Sequence, residues 1–475
     1  MELIDMKATR RLIVAALILC FTGCTVGPNY KRPDVSVPSQ FRGVSAEQQV
    51  ESFGDQKWWD AFQDEELRSL IQTALQQNYD LRIAATRILE AQALLGITRA
   101  DQLPTVTANA SAARERLPES LAGPAVVTSA YQVGGSLNWE LDFWGKFRRA
   151  TESARANLLA QEWAQRQVVS SLVSDIVASY FQLRELDLEL EISRQTLSSR
   201  DDSLRLTKIL ADRGATSMLD VRQAEQLVFA ASAAIPALED RIEEQENFIS
   251  ILIGKNPESI PRGKALVDQP HALEVPAGLP STLLERRPDI LQAEQQLVAA
   301  NAQIGAAKAE YFPQISLTAA GGFQSAALAN LFSGPAGAWA FAGSLVQPVF
   351  EGGRIRNKVK FAEARTEEAS LFYQQTVQQA FKDVSDALVR YQKSQQVRVQ
   401  LEGLTNSAEE AMRLSNMRYQ GGRASYLEVL DSDTRYFTAQ ISLAQAQLAE
   451  LESLVEIYRS LGGGWQQPES QKGGG

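Results

Sequence analysis

The chain has 475 residues, enough for more than one domain. Its 47 Lys and Arg stand against 57 Asp and Glu, and the formal charge of −10 argues against nucleic acid as a partner. One His and two Cys, the second being Cys24, exclude a transition-metal centre built on those ligands. They also exclude Ser-His-Asp and Cys-His catalysis unless His271 alone serves, and Pro270-His271-Ala272 reads as a linker carrying a surface His.

Apolar residues make up 44% of the chain, and no apolar run reaches the roughly 18 residues of a transmembrane helix. That excludes helical spans only, because transmembrane strands alternate apolar and polar residues and escape hydropathy windows. At the N-terminus, Lys7, Arg10 and Arg11 precede a short apolar core from Leu12 to Leu19, the pattern of a secretory signal over residues 1–23. Phe21-Thr22-Gly23-Cys24 resembles a bacterial lipobox, with Phe21 where Leu is usual. The resemblance implies lipid on Cys24, and Thr25 in place of Asp implies sorting to the outer membrane, held there by acyl chains.

The chain repeats itself. Asp80 and Asp289, Gly96 and Gly305, Ala100 and Ala309, Pro104 and Pro313 match in order. So do Leu137 and Leu345, Gly145 and Gly353, Gly214 and Gly422, Leu219 and Leu427, Val221 and Val429, Gly254 and Gly462. A collinear series at constant offset marks two copies of about 175 residues. The first repeat is placed at residues 62–254 and the second at 286–462. Residues 24–61, 255–285 and the Gly-rich tail 463–475 fall outside them.

Each repeat opens with a helical stretch, residues 62–102 in the first, which Leu103-Pro104 ends. Strands are expected at about 105–113, 130–140, 314–323 and 338–347. Val106, Ala108, Ala110 and Ala112 alternate with Thr105, Thr107, Asn109 and Ser111. Tyr131, Val133, Leu137 and Trp139 share a face, as do Ile315, Leu317, Ala319 and Phe323, and again Trp339, Phe341 and Leu345. Aromatics near the strand ends suit a membrane interface. Four strands cannot close a barrel, and an open edge is not tolerated in lipid, so the chain must borrow strands from copies of itself. Three copies supply twelve, an even number suited to a bacterial outer-membrane barrel.

Lys146 to Asp212 and Arg354 to Gln420 contain no Pro. Each would make a helix of about 100 Å. Val169, Leu172, Val173, Ile176, Tyr180 and Leu183 form one apolar stripe, and Val177, Phe181, Leu188 and Ile192 a second. Two stripes suit a helix with a neighbour on each side. Turns at Arg213-Gly214-Ala215-Thr216-Ser217 and Gln420-Gly421-Gly422-Arg423-Ala424-Ser425 lead into returning helices, with Ser217 and Ser425 as N-caps. Pro236 should break or kink the first returning helix, where its counterpart is Ala444.

Several motifs together resemble the outer membrane factors, in the lipoprotein branch of the TolC-like family. They are Trp139-Glu140-Leu141-Asp142-Phe143-Trp144-Gly145-Lys146, Gln347-Pro348-Val349-Phe350-Glu351-Gly352-Gly353-Arg354, Arg286-Arg287-Pro288-Asp289-Ile290, Ala309-Glu310-Tyr311-Phe312-Pro313 and Leu461-Gly462-Gly463-Gly464-Trp465. Cys24-Thr25-Val26-Gly27-Pro28-Asn29-Tyr30 joins them. The resemblance implies a helix-dominated membrane protein: a trimeric twelve-stranded transmembrane β-barrel, four strands per chain, continuous with a long periplasmic α-helical barrel. Residues outside the repeats would form a belt around the helices. It also implies a passive duct with no cofactor beyond the lipid, working as a homotrimer with a periplasmic adaptor (a membrane fusion protein) and an inner-membrane pump, often proton-driven, of the RND class. The usual cargo of such ducts is drugs, dyes, detergents or other small toxicants.

By the same resemblance, the pore constriction matches Leu427 and Asp431, one helical turn apart. Threefold symmetry would turn them into an apolar ring and a carboxylate ring that favours cations. Arg418 and Tyr419 match positions that hold the closed state, and Arg435 stands one residue beyond the family's usual Arg position, here Thr434. Arg213, Gly214, Ser217, Gly421, Gly422, Arg423 and Ser425 fall at the tips where an adaptor would dock. Three other readings compete. A duct for type I secretion of peptides or proteins shares the architecture. A periplasmic coiled-coil scaffold would lack the four alternating segments. A hydrolase built on Glu140 and Asp142 would lack a Gly-rich loop and a base.

Overall fold

The computed structural model describes residues 25–42, 52–117, 126–269 and 275–465. Cys24, the signal at 1–23, His271 and most of the Gly-rich tail lie outside the described residues. The chain forms two compact units, the first comprising residues 1–34, 87–162 and 292–374, the second 35–86, 163–291 and 375–475.

Besides a single turn at Trp58–Ala61 and short 3-10 turns, the helices are α1 (Glu65–Gln77), α2 (Tyr79–Ala100), α3 (Lys146–Asp212), α4 (Met218–Leu252), α5 (Pro280–Arg286), α6 (Pro288–Ala309), α7 (Arg354–Gln420) and α8 (Tyr426–Ser460). The strands are β1 (Thr105–Leu117), β2 (Val126–Leu141), β3 (Gln314–Ser325) and β4 (Gly337–Val346). Both 67-residue helices keep the expected limits, because nothing between those limits removes a backbone donor. The expected single stretch at 62–102 is instead two helices parted at Asn78. The Asn78 Oδ1 accepts from the Leu81 amide at 3.0 Å while its Nδ2 donates to the Leu252 carbonyl at 2.9 Å. Pro236 does not break α4, which runs through it. Ser232, whose carbonyl loses its partner, is exposed to solvent.

In the first unit the strands form one antiparallel sheet in the order β1-β2-β3-β4. Pairing extends β1 through Arg114-Glu115-Arg116 and β2 back to Val126, beyond what alternation alone delimits. The register brings Val106 opposite Leu137, Leu137 opposite Ala319, and Ala319 opposite Phe341. Directly opposed residues share a face. All four apolar rows therefore merge on one side of the sheet. Thr107, Ser136, Thr318 and Ser344 lie on the other. Midway along, Gly134 pairs with Gly322 and Gly135 with Gly321. A Cβ at Gly322 would collide with the Val133 carbonyl oxygen, so β2 and β3 approach here only because side chains are absent. Neither β1 nor β4 has a partner on its outer edge among the described residues.

At the foot of β2, Trp144 stacks on Phe312 with ring centroids 4.7 Å apart and donates to the Pro313 carbonyl at 2.8 Å. The N-terminal arm lies against this corner. A Cβ at Gly145 would meet the Thr25 side chain at 2.8 Å, the Val26 amide donates to the Trp144 carbonyl, and Gly27 passes over Gly305. Arg32 and Tyr30 then close on Glu294.

In the second unit the core is the stripe expected on α3. Val173, Ile176, Val177, Tyr180 and Leu183 are fully buried, and Leu188 is partly so. Asp64 caps α1 and also accepts from Tyr180 Oη, the Lys264 amide and Gln269, which ties residues 263–269 to the helices.

Candidate functional site

The site is built at the two turns of the second unit, and the same backbone makes both. Gly214 and Gly422 have φ of 72° and 66°, the left-handed region that glycine enters without a Cβ penalty. The Ala215 amide donates to the Leu210 carbonyl and the Arg423 amide to the Arg418 carbonyl, each at 2.8 Å. These are Schellman ends, which satisfy the last carbonyls of α3 and α7.

The entries to the returning helices differ. Ser217 and Asp220 form a reciprocal capping box at the start of α4. Ser425 occupies the N-cap of α8 but makes no side-chain cap bond. The residue three beyond it is Glu428, whose carboxylate lies 3.4 Å from Arg418 instead of folding back.

An apolar knot holds the two hairpins together. Ala224, Tyr426 and Val429 are buried, and Leu204, Tyr419 and Leu430 pack around them. The Tyr419 and Tyr426 rings meet edge to face at 5.3 Å, and Tyr419 Oη lies 3.4 Å from Thr216 Oγ1. Below the knot, Arg200 is 5% exposed and reaches from α3 to two other helices. It donates to the Leu227 carbonyl at 3.1 Å and pairs with Asp433 at 2.7 Å, and its guanidinium lies 5.3 Å from the Phe437 ring. Burial pushes the Asp433 carboxyl above its ordinary value, and Arg200 opposes that shift.

Leu427 and Asp431 lie outside the knot. Leu427 and the Asp431 side chain are each 59% exposed. Asp431 Oδ2 accepts from Arg435 Nε at 2.7 Å within the same helix, and this bond raises the Arg435 pKa. A groove between α7 and α8 has Asp431 and Arg435 among its lining, with Leu404, Ala408 and Thr438. Arg418 and Tyr419 stand on the last turn of α7, Arg418 facing Glu428 and Tyr419 in the knot. Gly421 continues that turn, its amide donating to the Met417 carbonyl.

The Arg200–Asp433 pair was not legible in the sequence. It joins residues 233 positions apart, and nothing around Ser199-Arg200-Asp201 sets Arg200 off from its charged neighbours. No group of His, Cys, Asp and Glu able to hold a metal exists among the described residues.

An amphipathic sheet with two free edges, in a chain that also forms two long helical hairpins, defines a class: channels whose barrel closes only by assembly. The family described as outer membrane efflux protein matches residues 70–255 and again 279–463. The chain is 37% identical over 457 residues to the solvent efflux pump outer membrane protein SrpC of Pseudomonas putida, covering 94% of this chain and 97% of that one. It is 34% identical over 464 residues to the cation efflux system protein CusC of Escherichia coli, covering 96% and 99%. The solved outer-membrane channel OprN superposes with a TM-score of 0.88 at 32% identity, covering 94% of this chain and all of that one. The chain belongs to the outer membrane efflux protein family. It is an efflux channel with the trimeric β-barrel and helical-barrel fold of that family, and not an enzyme.

Proposed function

We propose that this channel is the outer-membrane duct of a tripartite exporter. It receives cargo from an inner-membrane pump of the RND class through a periplasmic adaptor and conducts it passively outward. Small toxic compounds are the fitting cargo class, since relatives are named for solvent and for cation efflux. The observation that carries this reading is the pair of matched turns on one apolar knot, which leaves Leu427 and Asp431 exposed beside it. Assembled around a threefold axis, those two positions form the gate, and Arg435 is the partner that neutralises the carboxylate. Arg213, Gly214, Ser217, Gly421, Gly422, Arg423 and Ser425 form the surface that the adaptor grips. Cys24 carries the lipid. Its neighbour Thr25 packs on Gly145 at the foot of β2, which supports an anchor at the inner edge of the barrel.

A photo-crosslinking residue at Ser217 or Arg423 in living cells tests the docking reading. Capture of a periplasmic adaptor, identified by mass spectrometry, is the expected result. Self-crosslinks alone from an intact outer-membrane trimer would refute it.

A further inference from the structure

Charge is divided between the two faces of the sheet. Within the four strands the charged residues are Arg114, Glu115, Arg116 and Glu140. The register puts Glu115 and Glu140 on the polar face with Thr107, Ser136 and Thr318. Arg114 and Arg116, opposite Ser129 and Val127, fall on the apolar face with Val106 and Ala112. Both arginines are exposed, and neither pairs with an acid among the described residues. The hairpin itself does not require them. Both hairpins share one register, Val106 pairing with Leu137 as Ile315 does with Leu345. In the second hairpin the places of Arg114 and Arg116 are held by Phe323 and Ser325.

Height decides what the pair meets. The long helices follow the ends of β2 and β4 at Leu141 and Val346, so those ends face the periplasm and Leu117 and Val126 lie at the outer end. Trp139 marks the lower aromatic level, its indole donating to the Gln102 carbonyl at 3.0 Å. Tyr131 and the edge-to-face rings of Phe323 and Phe332 mark the upper one. Arg114 and Arg116 stand one and two rows beyond Tyr131, which is opposite Ala112. From Trp139 to Ser129, the partner of Arg114, β2 climbs ten residues. At roughly 3.4 Å per residue and a tilt of roughly 40° that is about 26 Å of height, close to the roughly 25 Å apolar band of such barrels. The arginines therefore lie at the outer headgroup level, where the penalty for Arg on a lipid-facing wall is smallest.

We infer that Arg114 and Arg116 bind the phosphates of lipid A, the phosphorylated glycolipid of the outer leaflet, against the outside of the barrel. This rests on the outer-membrane barrel fold and holds for any cargo or pump. Side chains two apart on one strand face stand about 7 Å from each other, so two guanidinium forks are presented together. Each fork takes two phosphate oxygens. Glu115 lies on the opposite face and leaves the pair unneutralised. Below the pair, Ala112 and Ala110 form a shallow trough beside Tyr131 and Val133, where acyl chains lie flat on the strand.

Native mass spectrometry of the full-length trimer in detergent, titrated with lipid A, tests this. The unsubstituted protein should bind one lipid A per copy. Arg114→Gln with Arg116→Gln should weaken binding at least about tenfold, through the loss of charge-assisted bonds. Glu115→Gln, on the polar face, should leave it unchanged. Lipid A stripped of its phosphates should bind the unsubstituted trimer at least about tenfold more weakly than intact lipid A. That comparison needs no substitution, so it decides the matter even if the double variant fails to assemble. Equal binding of the intact and stripped glycolipids would overturn the site. So would an affinity for phosphatidylglycerol equal to that for lipid A, which would make the pair a reader of any lipid phosphate. A monomeric unsubstituted protein would overturn the fold class, and the site with it.

Discussion

Glu185 and Glu189 lie one helical turn apart on α3, each 3% exposed. Burial first, and then the bond to Glu189, pushes the Glu185 carboxyl up to about 8. Every element packed here adds a group. Arg241 from α4 and Gln445 from α8 both reach Glu189, at 3.3 and 2.9 Å, and Glu452 from α8 adds a further negative charge. The unfolded chain releases the Glu185 proton near 4.5, and the folded chain keeps it until about 8. The contribution of this proton to stability is thus complete below the lower value and is lost as pH rises through the upper one. Glu185→Gln should raise the unfolding midpoint at pH 8, change it little at pH 5, and flatten the slope between, as read by circular dichroism in urea. An unaltered slope would show that Glu185 does not hold the proton. Arg200 acts in the same wall, and replacing it would leave the buried Asp433 carboxylate without its cationic partner.

Regular elements were the most legible part of the sequence, for a physical reason: period and punctuation are local. The four alternating segments and both Pro-free stretches became β1–β4, α3 and α7. Their ends were less legible where a partner decides them, as in Arg114-Glu115-Arg116, which alternation would leave in a loop and pairing draws into β1. The split at Asn78 depends on a carbonyl 174 residues away. Leu427 and Asp431 entered through resemblance, whereas the knot and the Arg200 clamp required the fold, since their members come from four helices. Pro236 does not break α4 because an exposed proline costs a helix one hydrogen bond without ending it. Pro236→Ala restores that bond, as Ala444 does in the second repeat. It should stabilise the protein by about 2 kcal/mol, the helix-interior cost of Pro (about 3 kcal/mol) less the greater freedom of the unfolded chain (up to about 1 kcal/mol). A urea midpoint at or below that of the parent would contradict this.

At the scale of the whole channel, one exposed residue becomes three. Leu427 and Asp431 bury little within their own chain, so substituting them should spare folding and alter only what the assembled mouth admits. Leu427→Ala combined with Asp431→Ala should raise ion conductance several-fold in a planar bilayer, with trimer stability unchanged. Conductance equal to the parent in a well-folded trimer would remove these residues from the gate. The first repeat carries Leu219 and Gln223 at the same places, so only the second repeat bears the carboxylate. That asymmetry acquires a meaning from the shared register of the hairpins. A chain of half this length, with one hairpin and one pair of long helices, could close the same barrel from six identical copies. Fusing two halves into one gene leaves the geometry untouched and frees one half to drift. Here the second half carries Asp431 where the first carries Gln223, a difference that six identical copies could not hold.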